Sequence, residues 1–380
     1  MTKNKRLIGT VSLTFLLIIS LIGLVIFQKT TTPFNHKITR NIQSSFQHIP
    51  KQFKTEAVIA GIGDILIHDT VYNDALTKDD HYDFDPMFKP VYSLLQKPDF
   101  LIANQESVPG GTKLGLSSYP SFNSPHEIVD ASMNAGVDMV TTANNHMLDK
   151  GEKGVLSAID YYEKKNLLYT GTFKSPEDKN TIRIVNVNGI NLAILAYSYG
   201  TNGVPIPAGK DYLVSMLDPK QVLHDIDKAK KDSDVVLLAL HWGEEYARTP
   251  NQTQKELAHQ FMEAGADIIF GHHPHVLQPI EWIDKPDGEK GLVVYSLGNF
   301  ISGQKTKNEY KDVGGMIEVS IEKSTEDNRS YTTIKDVKFH PTFTASKQFK
   351  NYRVYPIDQA NEKGFTDHTQ KEFNQFMFSK

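Results

Sequence analysis

The stretch Ile268-Ile269-Phe270-Gly271-His272-His273-Pro274-His275 decides how this chain is read. A short apolar run stops at three imidazoles within four positions. Short, nearly continuous runs of this kind suit strands buried on both faces. Histidines gathered at the end of such a strand suit ligand chemistry better than packing, because imidazole is the commonest metal ligand.

The same rhythm recurs outward from that point. Ala57 to Gly63 ends at Asp64. Phe100 to Ala103 ends at Asn104 and Glu106. Met139 to Ala143 ends at Asn144, Asn145 and His146. Leu192 to Ala196 ends at Tyr197-Ser198-Tyr199. Val235 to Leu240 ends at His241-Trp242-Gly243-Glu244. Leu292 to Tyr295 ends at Ser296-Leu297-Gly298-Asn299. Between them, Glu127 to Ala135, Gly154 to Lys165, Pro219 to Lys231 and Gln252 to Gly265 carry the 3.6-residue period of helices. Strand and helix in alternation predict an α/β fold. Functional groups of such sheets gather beyond the carboxyl ends of the strands. After Phe300, Gly314 to Lys323 and Tyr331 to His340 alternate like half-buried antiparallel strands and predict a second sheet.

Taken singly, most of these polar residues have an ordinary reading. Asp64 suits a turn or cap, Glu106 a surface carboxylate, His241 a satisfied core histidine, and Trp242 packing. The joint pattern is harder to explain that way. Asp64, Glu106, Asn145, His241, His273 and His275 form a mixed set of carboxylate, amide and imidazole that suits one or two divalent ions such as Mn²⁺ or Zn²⁺. Asp149, three residues after His146, is placed to orient that imidazole from the first turn of a helix.

Composition excludes several classes. Hydrophobic residues make up 39% of 380 and charged residues 23%, enough apolar material for a large core. The net charge of −4 argues against a nucleic-acid partner. With no cysteine there is no disulfide, thiolate site or Cys nucleophile.

Leu7 to Phe27 is 21 residues without a charge, about 31 Å as a helix, which matches a bilayer core. Lys3, Lys5 and Arg6 precede it, and no acid occurs before Glu56. The positive-inside rule then keeps residues 1–6 cytoplasmic, makes 7–27 a single-pass anchor in the cell membrane and sends the large domain outside. A cleaved signal peptide is the alternative, but no A-x-A-like site follows Phe27. Residues 28–55 read as a polar stalk. Without residues 1–27 the charge falls from −4 to −7, because they hold three cations and no acid.

Six ordered motifs carry a resemblance: Gly63-Asp64, Asn104-x-Glu106, Ala143-Asn144-Asn145-His146-x-x-Asp149, His241-Trp242-Gly243-x-Glu245, Gly271-His272-His273-Pro274-His275-Val276 and Ser296-Leu297-Gly298-Asn299-Phe300. Together they resemble the bacterial capsule synthesis family typified by CapA, or PgsA, of the poly-γ-glutamate capsule machinery. That family is in turn similar to calcineurin-like metallophosphoesterases. The resemblance implies a four-layer αββα sandwich over residues 56–345, with 346–380 as a C-terminal extension. By position, Asp64 matches the first metal aspartate, and Glu106 stands where a bridging aspartate is usual. Asn145 and His146 match an Asn-His pair whose His protonates a leaving oxygen. His241 matches an isolated metal histidine, and His273 with His275 matches a terminal His-x-His pair, His272 being the third imidazole of the run. One position departs from the pattern. Residue 66 is Leu where phosphoesterases carry a metal His, and the nearest substitute is His68, on the same face as Asp64 if a helical turn begins there.

The resemblance implies membrane partners, a Mur-ligase-like ATPase and a small multispanning protein, with poly-γ-glutamate as the shared product. The chain has no G-x-x-x-x-G-K-[ST] loop and is not expected to be the ATP-dependent ligase itself. Three readings stay open: a component of the capsule synthesis and export complex, a metal-dependent hydrolase of a phosphoester or polymer bond, and a polymer-binding scaffold on the same fold. The exterior charge of a −7 domain repels a polyanion, so any polymer contact requires a local basic patch or the metals.

Overall fold

The computed structural model describes residues 52–306, 308–326 and 329–379. The span at 7–27 and most of the segment read as a stalk lie outside the described residues. Among the described residues no helix is long and apolar enough to cross a membrane.

Among the described residues, fourteen strands form two sheets. The first has eight strands: β1 (Gln52–Leu66), β2 (Phe100–Gln105), β3 (Met139–Thr141), β4 (Leu168–Thr170), β11 (Asn299–Ser302), β12 (Val313–Glu326), β13 (Arg329–Lys347) and β14 (Lys350–Pro356). The second has six: β5 (Arg183–Val187), β6 (Ile190–Ser198), β7 (Val235–His241), β8 (Ile268–His272), β9 (Leu277–Asp284) and β10 (Lys290–Leu297). β1 to β4 run parallel, as do β6, β7, β8 and β10. β12, β13 and β14 add antiparallel strands beside β1.

Alternation along each strand produces the layers, because successive side chains point to opposite faces. In β1, Ala57 and Ile59 join the core between the sheets, while Ala60 and Ile62 face the outer helical layer. In β7, Val235 and Leu237 point inward, while Val236, Leu238 and Leu240 point to the opposite helices. The first sheet is covered by α1 (Glu127–Ala135) and α2 (Gly151–Lys165), whose Ile128, Val129, Val155 and Ile159 pack on it. The second is covered by α3 (Pro219–Ala229) and α4 (Gln252–Ala264) through Val222, Ile226, Ala258 and Phe261. The result is the αββα sandwich.

Two boundaries differ from expectation. β1 begins at Gln52, inside the segment read as a stalk, because Gln52 to Glu56 pair with Glu326 to Glu322 of β12. The chain after 345 also joins the domain. β14 extends the first sheet, and α5 (Ile357–Glu362) and α6 (Gln370–Met377) bury Ile357, Phe373 and Met377 in the intersheet core.

The two sheets are stitched together beside the polar strand ends. β10 belongs to the second sheet, and the chain crosses through Gly298 into β11, which pairs with β1 in the first. Gly298 has φ +64 and Gly63 lies against it, with the Asp64 N–H donating to Gly298 O at 2.8 Å. A Cβ on Gly63 would sit 2.1 Å from that carbonyl oxygen. Only a residue without a side chain permits this approach. Gly63→Ala is therefore expected to destabilise the fold by about 1–3 kcal/mol through overpacking. Urea unfolding of the variant beside wild type checks this, and equal midpoints would show that the seam can yield.

Candidate metal centre

All the polar clusters reach one end of the sandwich. β1 delivers Asp64, the end of β2 delivers Asn104 and Glu106, and the turn after β3 delivers Asn145 and His146. From the second sheet, β7 ends in His241 and β8 leads into His272, His273 and His275. His273 and His275 both have positive φ, at 95° and 60°. That backbone is costly for non-glycine residues and persists only where the surroundings hold it.

Asp64 is fully buried and richly partnered. Its Oδ1 accepts from Asn104 Nδ2 at 2.8 Å and lies 3.0 Å from His272 Nδ1. Oδ2 accepts the His273 N–H at 3.3 Å and lies 3.4 Å from His275 Nδ1. Burial pushes this carboxyl up, but hydrogen bonds and charge from His272 and His275 outweigh it and hold Asp64 well below its usual range.

Glu106 is the opposite case. It is also fully buried, yet neither carboxylate oxygen has a hydrogen-bond donor. Imidazoles stand beside it, with His241 Nε2 3.5 Å and His275 Nε2 3.7 Å from Oε1. Burial drives its carboxyl well above the ordinary value, the charge of His275 offsets this only in part, and the acids Asp64 and Glu245 are near enough to push it up further. His275 is pushed down by burial, but Glu106 and Asp64 together raise it to about 9. His241 and His273 are kept neutral, His241 well below its usual value and His273 at about 3, by burial and then by a neighbouring imidazole.

The donor set fits a divalent cation. Glu106, His273 and His275 bring one ligand atom each within 4.8 Å of one another. His273 Nδ1 is also buried without a partner. A buried carboxylate and the unpartnered nitrogen of a neutral His273 are what a borderline cation requires, and His275 would give up its proton on binding one. Second-layer contacts orient these ligands: Asn299 Oδ1 lies 3.0 Å from His275 Nδ1, and Asn145 Oδ1 lies 2.9 Å from His241 Nε2.

His146 stands on the cleft wall. Its Nδ1 lies 2.8 Å from Asp149 Oδ2, and the same carboxylate oxygen accepts the Phe122 N–H at 2.6 Å. Asp149 lies in the turn before α2, whose first residue is Gly151, and not in a helical turn as the spacing suggested. His68 does not join the tight group of ligand atoms. Its Nδ1 sits 3.1 Å from Leu66 O and 3.2 Å from Gly303 N, and burial lowers it to about 4. The Phe122 ring stands edge-on between His68 and His146, with centroids 5.0 and 4.6 Å away.

Between these walls opens a cleft of about 390 Å³, lined among others by His68, Phe122, His146, Tyr246, His275 and Lys305. The loop after β7 presents Glu245 and Tyr246 to it. Arg248 anchors that loop, its guanidinium 3.8 Å from the Tyr310 ring and 3.9 Å from Phe376. Trp242 is packing, buried with its Nε1 donating to Tyr295 O at 3.0 Å.

The roles of two residues that the sequence marked, and one residue that it did not mark, appear only in the structure. His272 is the carboxylate's companion, and Asn104 holds Asp64. Asn202 accepts from Asn145 Nδ2 at 3.2 Å and lies 3.3 Å from His146 Nδ1. Asn202 comes from a loop after β6 with no local pattern to mark it. The strand-end position of Asn104 was the available signal for that residue.

Residues 58–304 match the family described as bacterial capsule synthesis protein PGA_cap. A segment is 36% identical over 187 residues to the capsule biosynthesis protein CapA of Bacillus anthracis, covering 48% of this chain and 44% of that one. Another is 39% identical over 168 residues to the PGA biosynthesis protein CapA of Bacillus subtilis, covering 44% and 43%. The alignments thus span less than half of those relatives. Among solved structures, a phosphatase from Mycoplasma pneumoniae superposes with a TM-score of 0.45 and 15% identity, over 78% of this chain and 97% of that one.

Mn²⁺ or Zn²⁺ at a hundredfold excess over its dissociation constant is expected to stabilise the protein by about 2.7 kcal/mol. Glu106→Gln should lose that gain while remaining folded. Thermal melts with and without metal measure it, and equal metal-induced shifts in both proteins would remove Glu106 from the ligand set.

Proposed function

The chain belongs to the PGA_cap family of bacterial capsule synthesis proteins, and from that premise we propose that it is a membrane-anchored component of a poly-γ-glutamate capsule machinery. Its large domain works outside the cell, beside a separate ATP-dependent ligase and a small multispanning subunit. The charge-free span at 7–27 and its three preceding cations support the anchor. The similarity to capsule and PGA biosynthesis proteins of two Bacillus species supports the capsule role.

The observation that carries a working site is Glu106, buried without a donor among the imidazoles of His241, His273 and His275, the last of which lines one cleft with His146. Glu106, His273 and His275, with His241 and Asn145 adjacent, would hold a divalent cation, which when bound would supply positive charge toward an anionic ligand. The chain's own groups then do the rest. Asp149 fixes His146 through Nδ1, which leaves Nε2 to give or take a proton in the cleft. Phe122 and Tyr246 add aromatic surface to the same cleft.

This arrangement favours hydrolysis of a phosphoester or polymer bond over a purely structural centre, because a metal that only holds the fold has no use for an oriented imidazole beside it. The scaffold remains the second reading, favoured by the Leu at position 66.

His146→Ala separates the two. If the site performs chemistry, the variant loses about 10²–10⁴-fold of activity, seen as loss of surface polymer with metal content retained. If the centre only binds, His146→Ala is near silent while Glu106→Ala fails. Surface poly-γ-glutamate at matched protein level is the measurement, and full output from both variants would refute every site-based reading.

A further inference from the structure

The β13–β14 hairpin ends in an unfavourable tip. Lys347 and Lys350 are directly paired, so the connecting turn has only Gln348 and Phe349. Both have positive φ, 53° and 60°. Such a turn favours Asn-Gly, and a bulky side chain in the left-handed region is strained. Like charges directly opposite each other on a strand pair add repulsion. Phe349 is exposed instead of packed, and neither lysine takes part in an ion pair among the described residues. The Lys347 ammonium lies 5.9 Å from the centre of the Phe365 ring, a small return for local choices that oppose the fold together, and such choices mark a place held for function.

The tip also adjoins the cleft. Lys305, which lines the cleft, holds its ammonium 5.8 Å from the centre of the Phe349 ring and 3.6 Å from Asp69. Lys305 thus joins the cleft mouth to the exposed ring at the hairpin tip, where Lys347 and Lys350 pair across the turn, on a chain whose net charge is negative.

We propose that Lys347, Phe349, Lys350 and Lys305 form a docking strip for a polycarboxylate chain, which it guides toward the metal centre. The proposal rests on the poly-γ-glutamate reading above and supplies the local basic patch that such a product needs. Charge complementarity selects the occupant, because spaced lysines match repeated carboxylates. The ring gives apolar contact to the methylenes between them. An anionic membrane surface is the competing occupant, and the test separates it.

The full-length chain in detergent is titrated with poly-γ-glutamate and, separately, with phosphatidylserine vesicles. Lys347→Glu combined with Lys350→Glu is expected to weaken polymer binding by about tenfold or more at low salt and to flatten its salt dependence. Phe349→Gly is expected to weaken it several-fold while raising the melting temperature, because glycine relieves the turn. A merely structural tip would not move those two readouts in opposite directions. Wild type that binds polymer while all tip variants bind equally well refutes the strip and leaves the functional reading standing. Tip variants that lose vesicle binding but keep polymer binding assign the tip to the membrane and overturn the proposal. Wild type that does not bind the polymer overturns the strip and the polymer reading together.

Discussion

The Glu106 carboxylate, sealed from water with no donor on either oxygen, sets the terms for the rest of the site. An isolated buried carboxylate is so unfavourable that it must take up a proton or meet a cation. Asp64, equally buried, avoids that outcome through Asn104, His272 and the His273 backbone. The two acids therefore play different parts. Asp64 is an ionised anchor that fixes His272 and His275, whereas Glu106 has its lone pairs free. The surrounding imidazoles are held neutral by burial at His241 and His273, which is the state in which they ligate metal.

That chemistry requires two sheets to present their strand ends within a few ångströms of each other. Intersheet packing alone leaves about 10 Å between sheets, too far for one ligand set. The crossover at Gly298 closes the distance. Where β10 hands the chain to β11, the backbone of Gly63 and Gly298 touch, and Asp64 is drawn against the histidines of the second sheet. The glycines of the Gly63-Asp64 and Gly298-Asn299 motifs are thus spatial partners, and Asn299 then orients His275.

The sequence disclosed the strands that are buried on both faces and the helices between them. Glu127–Ala135 appears with the expected ends, and Pro219–Ala229 stops two residues short. It also disclosed which strands end in the polar residues that meet at one end of the sandwich, because polarity changes abruptly there. The edge strands β5, β9 and β14 were not legible, since their half-exposed patterns resemble loop sequence. Within the site, local spacing revealed the His146–Asp149 pair. It did not assign His272 to Asp64, 208 positions away, nor bring Asn202 to Asn145. Such partners are set by the topology of both sheets, which no local pattern encodes. His68 illustrates the converse. Its spacing from Asp64 suggested a ligand, but β1 continues through Leu66 and His68 follows as the residue capping the next helix, so its ring is turned to Leu66 O and Gly303 N.

The central claim is that Glu106 is held unpaired for a cation shared with His273 and His275. Anomalous diffraction at the manganese edge, from crystals of the protein grown with Mn²⁺, tests it most directly. The account predicts a peak within about 2.0–2.3 Å of a Glu106 oxygen and of nitrogens from both histidines, the range of ordinary oxygen and imidazole ligation. Density there with no anomalous signal, or a peak coordinated without Glu106, would contradict it.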